Sequence, residues 1–258
     1  MQEKEFDSNY WENNWDSVPI PQEKKSEDVH EIHQIISNFL PNTGLNLIEI
    51  GCAPGGWLAY FHNNFHCSVS GIDYAPIACK KTIENLKVLN IPNKVLHADL
   101  FEFEHEPYDV VFSSGFIEHF KVIMPAIEKI VNLCEPNGGL LICIIPSMQG
   151  VNRWISKTFR PNVAAGHFPI NKAELIKYHE ACGLQTLYCD YVGSLHILPP
   201  LGKNNFSKNH PSISAMVNLP FRIWNRIINR VIKKLGKYPK WGVLTNSIIY
   251  IGKKEIEK

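Results

Sequence analysis

The chain has 258 residues, with 26 Lys and Arg against 25 Asp and Glu, for a formal net charge of +1. A hydrophobic fraction of 45% and a charged fraction of 20% are ordinary for a globular chain with a sizeable core, and they exclude a disordered or fibrous one. No apolar run reaches the ~18 residues of a membrane span, the first residues lack the pattern of a secretory signal, and seven cysteines without a C-x-x-C pair predict reduced thiols in a cytoplasmic protein and no zinc site.

Residues 1–44 read as an N-terminal lid and a first helix. The leader is polar around Tyr10, Trp11 and Trp15, with Pro19 and Pro21 behind them. Val29, Ile32, Ile35, Ile36 and Phe39 then recur at helical spacing and stop at Pro41. From Leu45 an apolar run enters the cluster Gly51-Cys52-Ala53-Pro54-Gly55-Gly56, and Trp57, Leu58 and Phe61 follow at helical spacing. That is a buried strand, a tight loop and a helix start. Such a loop lets backbone approach a ligand and points free N–H groups at it. A second strand, Ser68 to Tyr74, carries Asp73 at its end, about where dinucleotide folds place a ribose acceptor.

The pattern then alternates. A helix is expected from Pro76 to Leu89, a third strand from Lys94 to Leu100 with Asp99 at its end, and a fourth strand with its exit loop over Tyr108–Gly115. A helix opening Phe116-Ile117-Glu118-His119 is expected to run to about Cys134. Leu140 to Ile145 is a wholly apolar strand, as a parallel sheet buried on both faces requires. A helix over Lys172–Cys182 and strands over Gln185–Tyr191 and Thr245–Gly252 complete seven strands. The fold class is α/β, a doubly wound, mostly parallel sheet over residues 45–258 with one reversed strand near the edge. Cap insertions interrupt it at about 147–171 and 196–240.

The stretch Glu49-x-Gly51-x-Ala53-x-Gly55 resembles motif I of the class I S-adenosylmethionine-dependent methyltransferases, with alanine for the middle glycine. The resemblance covers roughly residues 45–190. It implies S-adenosylmethionine as cofactor, held by Gly51, Cys52, Ala53 and Gly55 of the loop. Glu49 orders that loop and the methionine ammonium. Asp73 serves the ribose, Asp99 and Leu100 the adenine, and Tyr74 and Ser114 are further cofactor contacts. Tyr10 and Trp11 of the leader are expected to fold over the cofactor. Glu118-His119 is similar to a pair in ubiquinone-biosynthesis O-methyltransferases, where a glutamate three residues earlier helps to bind a metal. Gly115 stands there, so no metal is expected.

A hydroxyl acceptor needs a base. His119, just after the fourth strand, and His167 in the first insertion are the candidates, as groups that titrate near neutrality. From Tyr191 to Lys254 there is no Asp or Glu, which points to an anionic partner. The acceptor is therefore expected to be a small anionic molecule, such as a nucleotide-linked or lipid-linked sugar, met by Arg153, Trp154 and Arg160. A basic amphipathic helix is predicted over 220–235. Its first reading is a cap over the cleft or a contact with a second copy in a homodimer, and its second a peripheral contact with an anionic membrane.

Two other functions stay open. Gly51 to Trp57 resembles the first motif of ribosomal RNA 2′-O-methyltransferases. That family's catalytic lysine and aspartate are replaced here by Ile144 and by Ser113-Ser114-Gly115, so nucleic acid is the weaker expectation. A non-catalytic protein that uses the cofactor fold as an interaction module is the other.

Overall fold

A computed structural model describes residues 15, 18–26, 29–41, 44–201, 207, 209–236, 239–242 and 244–255. Tyr10 and Trp11 lie outside them. In chain order the elements are α1 (His30–Ser37), β1 (Asn46–Ile50), α2 (Gly56–Phe65), β2 (Ser68–Asp73), α3 (Pro76–Val88), β3 (Asn93–His97) and β4 (Val110–Ser114). A 3₁₀ turn at Ile117–His119 follows, then α4 (Met124–Asn132), β5 (Leu140–Pro146), α5 (Gly150–Phe159), α6 (Pro161–Ala165), α7 (Lys172–Ala181), β6 (Leu184–Leu195), α8 (Pro211–Leu235) and β7 (Thr245–Lys254).

The seven strands form one sheet in the order β3-β2-β1-β4-β5-β7-β6. The first five are parallel, and β7 runs antiparallel to both β5 and β6. The reversed strand is thus second from the edge. Both faces are covered. Ile36, Leu58, Phe61 and Leu86 from α1, α2 and α3 pack with Phe112 and Ile142 on one side; Ile127, Ile130 and Leu175 from α4 and α7 pack with Val111 and Cys143 on the other. The chain order reverses between β1 and β4, so a crevice opens beyond their carboxyl ends.

Local chemistry sets several boundaries. Gly55 takes φ +87°, and a Cβ there would lie 3.0 Å from Thr82 Cγ2 and 3.3 Å from Leu86 Cγ, so the bare glycine lets α3 close on the loop. Asn171 and Glu174 form a reciprocal capping box at the start of α7. Three expectations need correction. The helix foreseen from Phe116 to Cys134 is a single 3₁₀ turn, a break, and α4 restarting with a proline in its first turn. Strand β6 continues to Leu195. Helix α8 begins at Pro211, nine residues early, and carries Pro220 inside it; a proline reads as a start in sequence, although a solvent-facing turn of a long helix tolerates one at a cost.

Candidate active site

A cleft of about 500 Å³ lies at the carboxyl ends of the parallel strands, a size that suits a small organic ligand. Its floor includes Gly51, Ala53, Asp73 and Asp99, and its far wall Ser114, Glu118, His119 and His167. Tyr74, Leu100 and Trp15 also line it. Most of these residues meet here because they end or follow a parallel strand; Trp15 comes from the leader and His167 from the insertion after β5.

The glycine loop is held from three sides. Gly51 N–H and Cys52 N–H both donate to the Ile72 carbonyl, at 2.9 and 3.2 Å. Gly51 has φ +71°, and a Cβ on it would sit 2.9 Å from Phe116 Cδ2. The Phe116 ring therefore rests where only glycine leaves room. The third support was not foreseen. Asn85 on α3 is fully buried. Its Oδ1 accepts from Gln22 N–H at 2.6 Å, and its Nδ2 donates to the carbonyls of Gln22 and Pro54, both at 2.8 Å. One side chain joins the leader to the loop. Nothing in the sequence marks it apart from the other polar residues of that helix.

The acids differ in role. Glu49 is buried beneath the loop and does not line the cleft. Leu58 N–H donates to it, while its Oε2 has no hydrogen-bond partner. Burial, and then the charge of Asp73, push its carboxyl well above the ordinary range. Asp73 accepts from Ala75 N–H at 3.0 Å and from the backbone of Ala53 and Tyr74; burial still raises it to about 6. Asp99 accepts from Phe101 N–H at 3.1 Å, an Asx turn that holds Leu100 at the cleft. Acids aimed at a cavity fit a ligand that brings hydroxyls, an amine and a positive charge.

Two hydrogen bonds dock the segment carrying His167 onto the 3₁₀ turn. Phe168 N–H donates to Glu118 O at 2.8 Å, and His119 Nδ1 lies 2.7 Å from Gly166 O. The His119 and His167 rings meet edge to face, 4.6 Å between centroids. A carbonyl can only accept, so Nδ1 carries the proton and Nε2 is the basic nitrogen. Burial lowers His119 to about 4, while the Gly166 and Gly115 carbonyls favour its protonated form. Burial raises Glu118 to about 8. Glu118 Oε1 and His119 Nε2 stand 3.9 Å apart, but with those shifts both groups are neutral at pH 7. The contact is then no ion pair, and it is too long for a hydrogen bond. The expectation that His119 titrates near neutrality is corrected: the site is too dry.

Donor atoms of Glu118, His119 and His167 lie within 4.8 Å of one another. Such a group could hold a divalent ion. The missing glutamate at 115, on which the expectation of no metal rested, is therefore not decisive, because His167 supplies a third donor from another segment.

Other expected residues lie elsewhere. Cys52 turns its side chain into the core against Gly71, leaving only its backbone for a ligand. Arg160 donates to the carbonyls of Pro199 and Pro200, Trp154 is 62% exposed, and neither they nor Arg153 line the cleft.

Known proteins place this geometry. A family profile for a methyltransferase domain matches residues 24–188. No curated protein matches the chain. Among solved structures, a putative sarcosine dimethylglycine methyltransferase from Galdieria sulphuraria superposes with a TM-score of 0.60 at 13% identity, over 96% of this chain and 98% of that one. The N-methyltransferase NodS from Bradyrhizobium japonicum, in complex with S-adenosyl-L-homocysteine, gives 0.56 at 13%, over 96% and 98%. The [4+2]-cyclase SpnF gives 0.59 at 13%, over 88% and 82%. At such identities the likeness is one of fold.

Proposed function

This chain belongs to the methyltransferase-domain family, and we propose that it transfers a methyl group from S-adenosylmethionine to an oxygen or nitrogen of a small acceptor. The cofactor supplies an electrophilic methyl on a sulfonium. The observation that carries the reading is the cleft at the strand ends, with Asp73 and Asp99 in its floor and a basic nitrogen in its far wall. Asp73 offers a carboxylate to ribose hydroxyls, and Asp99 one to the adenine amino group. Methyl transfer needs alignment and the exclusion of water. Phe116 and Phe120, with rings 5.2 Å apart, supply a dry wall beside His119. Nε2 of His119 takes the acceptor's proton, and the two carbonyls near the ring stabilise the imidazolium that forms.

The finer reading of the acceptor changes shape. Arg160 is committed to backbone carbonyls, so an anionic acceptor such as a lipid-linked or nucleotide-linked sugar would reach out of the cleft. Its charge would then lie against the acid-free segment that follows β6.

Calorimetric titration with S-adenosylhomocysteine tests the cofactor assignment. Asp73→Asn should weaken binding by about 1.5–3 kcal/mol, the worth of a charge-assisted hydrogen bond. An unchanged Kd, or no heat with the unaltered chain, rejects it. The SpnF neighbour supplies a rival, a cofactor-fold protein whose chemistry is not methylation. Cofactor binding with no methyl transfer from labelled donor to any hydroxyl or amine acceptor would favour that rival.

A further inference from the structure

Helix α8 is built inside out for a cap. Its inward stripe is Ser214, Asn218, Asn225 and Ile232, the buried positions among the described residues of the helix. Asn218 pairs with Leu201, accepting from its N–H at 3.1 Å and donating to its carbonyl at 2.7 Å. Asn225 does the same to Ile197, at 2.9 and 2.8 Å. The helix is therefore fastened to the 197–201 segment by two amide side chains that mimic a strand partner, beside buried Ile232 and half-buried Phe221 and Ile228 on the same face.

The large apolar side chains point away. Met216 is 68% exposed, Ile227 56%, Trp224 48% and Val231 45%. At 100° per residue they fall, with Ile213 and Leu235, within one arc of about 100° that is turned away from the amides. Arg222, Arg226, Arg230 and Lys234 follow at intervals of four, all exposed, and drift by about 40° a step across the arc between the amides and that stripe. No acid stands between Tyr191 and Lys254 to offset them. A fold that turns amides inward and tryptophan outward leaves unpaid a hydrophobic gain of about 25 cal/mol for each Å² of apolar surface.

We propose that this face rests on an anionic lipid surface. Charge complementarity selects the occupant: an apolar stripe bordered by arginines suits acyl chains beneath negative headgroups. No helix among the described residues is long and apolar enough to cross a membrane, so the contact is interfacial. Its position has a use. Strand β6 ends, and antiparallel β7 begins, at the same end of the sheet as the cleft, where Leu195 pairs with Thr245 and Ser247 lines the cleft. The helix lies in the connection between these two strand ends, so a chain lying on this face would bring its cleft toward the headgroups. The inference rests on α8 alone and does not require the methyl-transfer reading.

Flotation of the full chain with phosphatidylcholine vesicles, with and without phosphatidylglycerol, tests it. The chain should float with anionic vesicles and stay behind with neutral ones, and 0.5 M salt should release it, since surface potentials are screened over ~5 Å at that strength. Arg222→Glu/Arg226→Glu/Arg230→Glu should weaken partitioning by at least about a hundredfold, at roughly fivefold for each arginine lost and more for each charge reversed. Trp224→Ser/Ile227→Ser should abolish it. Both variants alter exposed residues, so far-UV circular dichroism and S-adenosylhomocysteine affinity should match those of the unaltered chain. No flotation of a folded chain overturns the proposal. So does a concentration-dependent dimer that Trp224→Ser/Ile227→Ser dissociates, because a second copy then covers the stripe. Equal flotation of the arginine variant also overturns it.

Discussion

Glu118 is 2% exposed, and neither carboxylate oxygen has a hydrogen-bond partner. Its folded-state pKa of about 8 lies above the ordinary 4.5 because burial disfavours the anion. The folded chain therefore holds a proton that the unfolded chain releases between these values, and stability falls as pH rises from about 4.5 to about 8. Glu118→Gln keeps the shape and removes the titration. Its melting temperature should match the unaltered chain at pH 5 and exceed it increasingly up to pH 9; equal melting temperatures throughout would show the carboxyl to be solvated. His119 shifts the other way. With a pKa of about 4, it is already a free base at pH 5, so kcat should hold level down to that point and fall only near pH 4. An acid limb near 6.5 would assign the base elsewhere. Asp73, at about 6, links cofactor affinity to pH. Its anion is the form that accepts from hydroxyls, so affinity should drop as pH falls through 6, with net proton release on binding visible as buffer-dependent heat.

At the scale of elements, Asn85 of α3 anchors the leader, beside the Lys24 N–H bond to the Gly56 carbonyl and the Asn63 bond to Glu23. Truncating Asn85 strands two carbonyls and an N–H in a buried place, where each unmet group costs about 1–3 kcal/mol. Asn85→Ala should lower the melting temperature and weaken S-adenosylhomocysteine binding together, because Gln22 and Pro54 lose their common anchor. A loss of stability with unchanged affinity would separate the leader from the loop. The amides of α8 make a parallel case. Asn225→Ala should speed hydrogen exchange at the Ile197 amide while leaving β5 protected. The sequence made the strands legible, most plainly β5 with its unbroken apolar run over residues 140–145, and it made Asp73 and Asp99 legible because each ends or follows a strand. It did not reveal Asn85, Phe116 over Gly51, or the meeting of His119 with His167. Each depends on a contact between segments distant along the chain. Arg160 misled for a related reason: its basic type was visible, but the carbonyls of Pro199 and Pro200 that occupy it were not.

Across the whole molecule, a small electrostatic hub ties the first helix to the last insertion. Glu31 of α1, 8% exposed, accepts from Gly193 N–H and from Lys240 Nζ, both at 2.7 Å. Lys240 also donates to Tyr191 O at 2.9 Å and lies 3.7 Å from Asp190. Burial works against the lysine's charge, but Glu31 outweighs it and the pKa rises. Lys240→Met should cost on the order of 1 kcal/mol, a drop of about 2–4 °C for a chain of this size, with cofactor affinity unchanged. A larger loss, with the amide of Gly193 exposed to exchange, would make the hub a keystone of the sheet edge.

The pairing of Leu195 with Thr245 has a structural consequence of its own. Everything between those two residues leaves and rejoins the sheet at a single rung, so the appendage is excisable in principle. Antiparallel neighbours can be joined by a two-residue hairpin turn. Grafting such a turn between β6 and β7 should yield a shortened chain that still folds and still takes up S-adenosylhomocysteine, separating the catalytic body from whatever its detachable arm was built to touch.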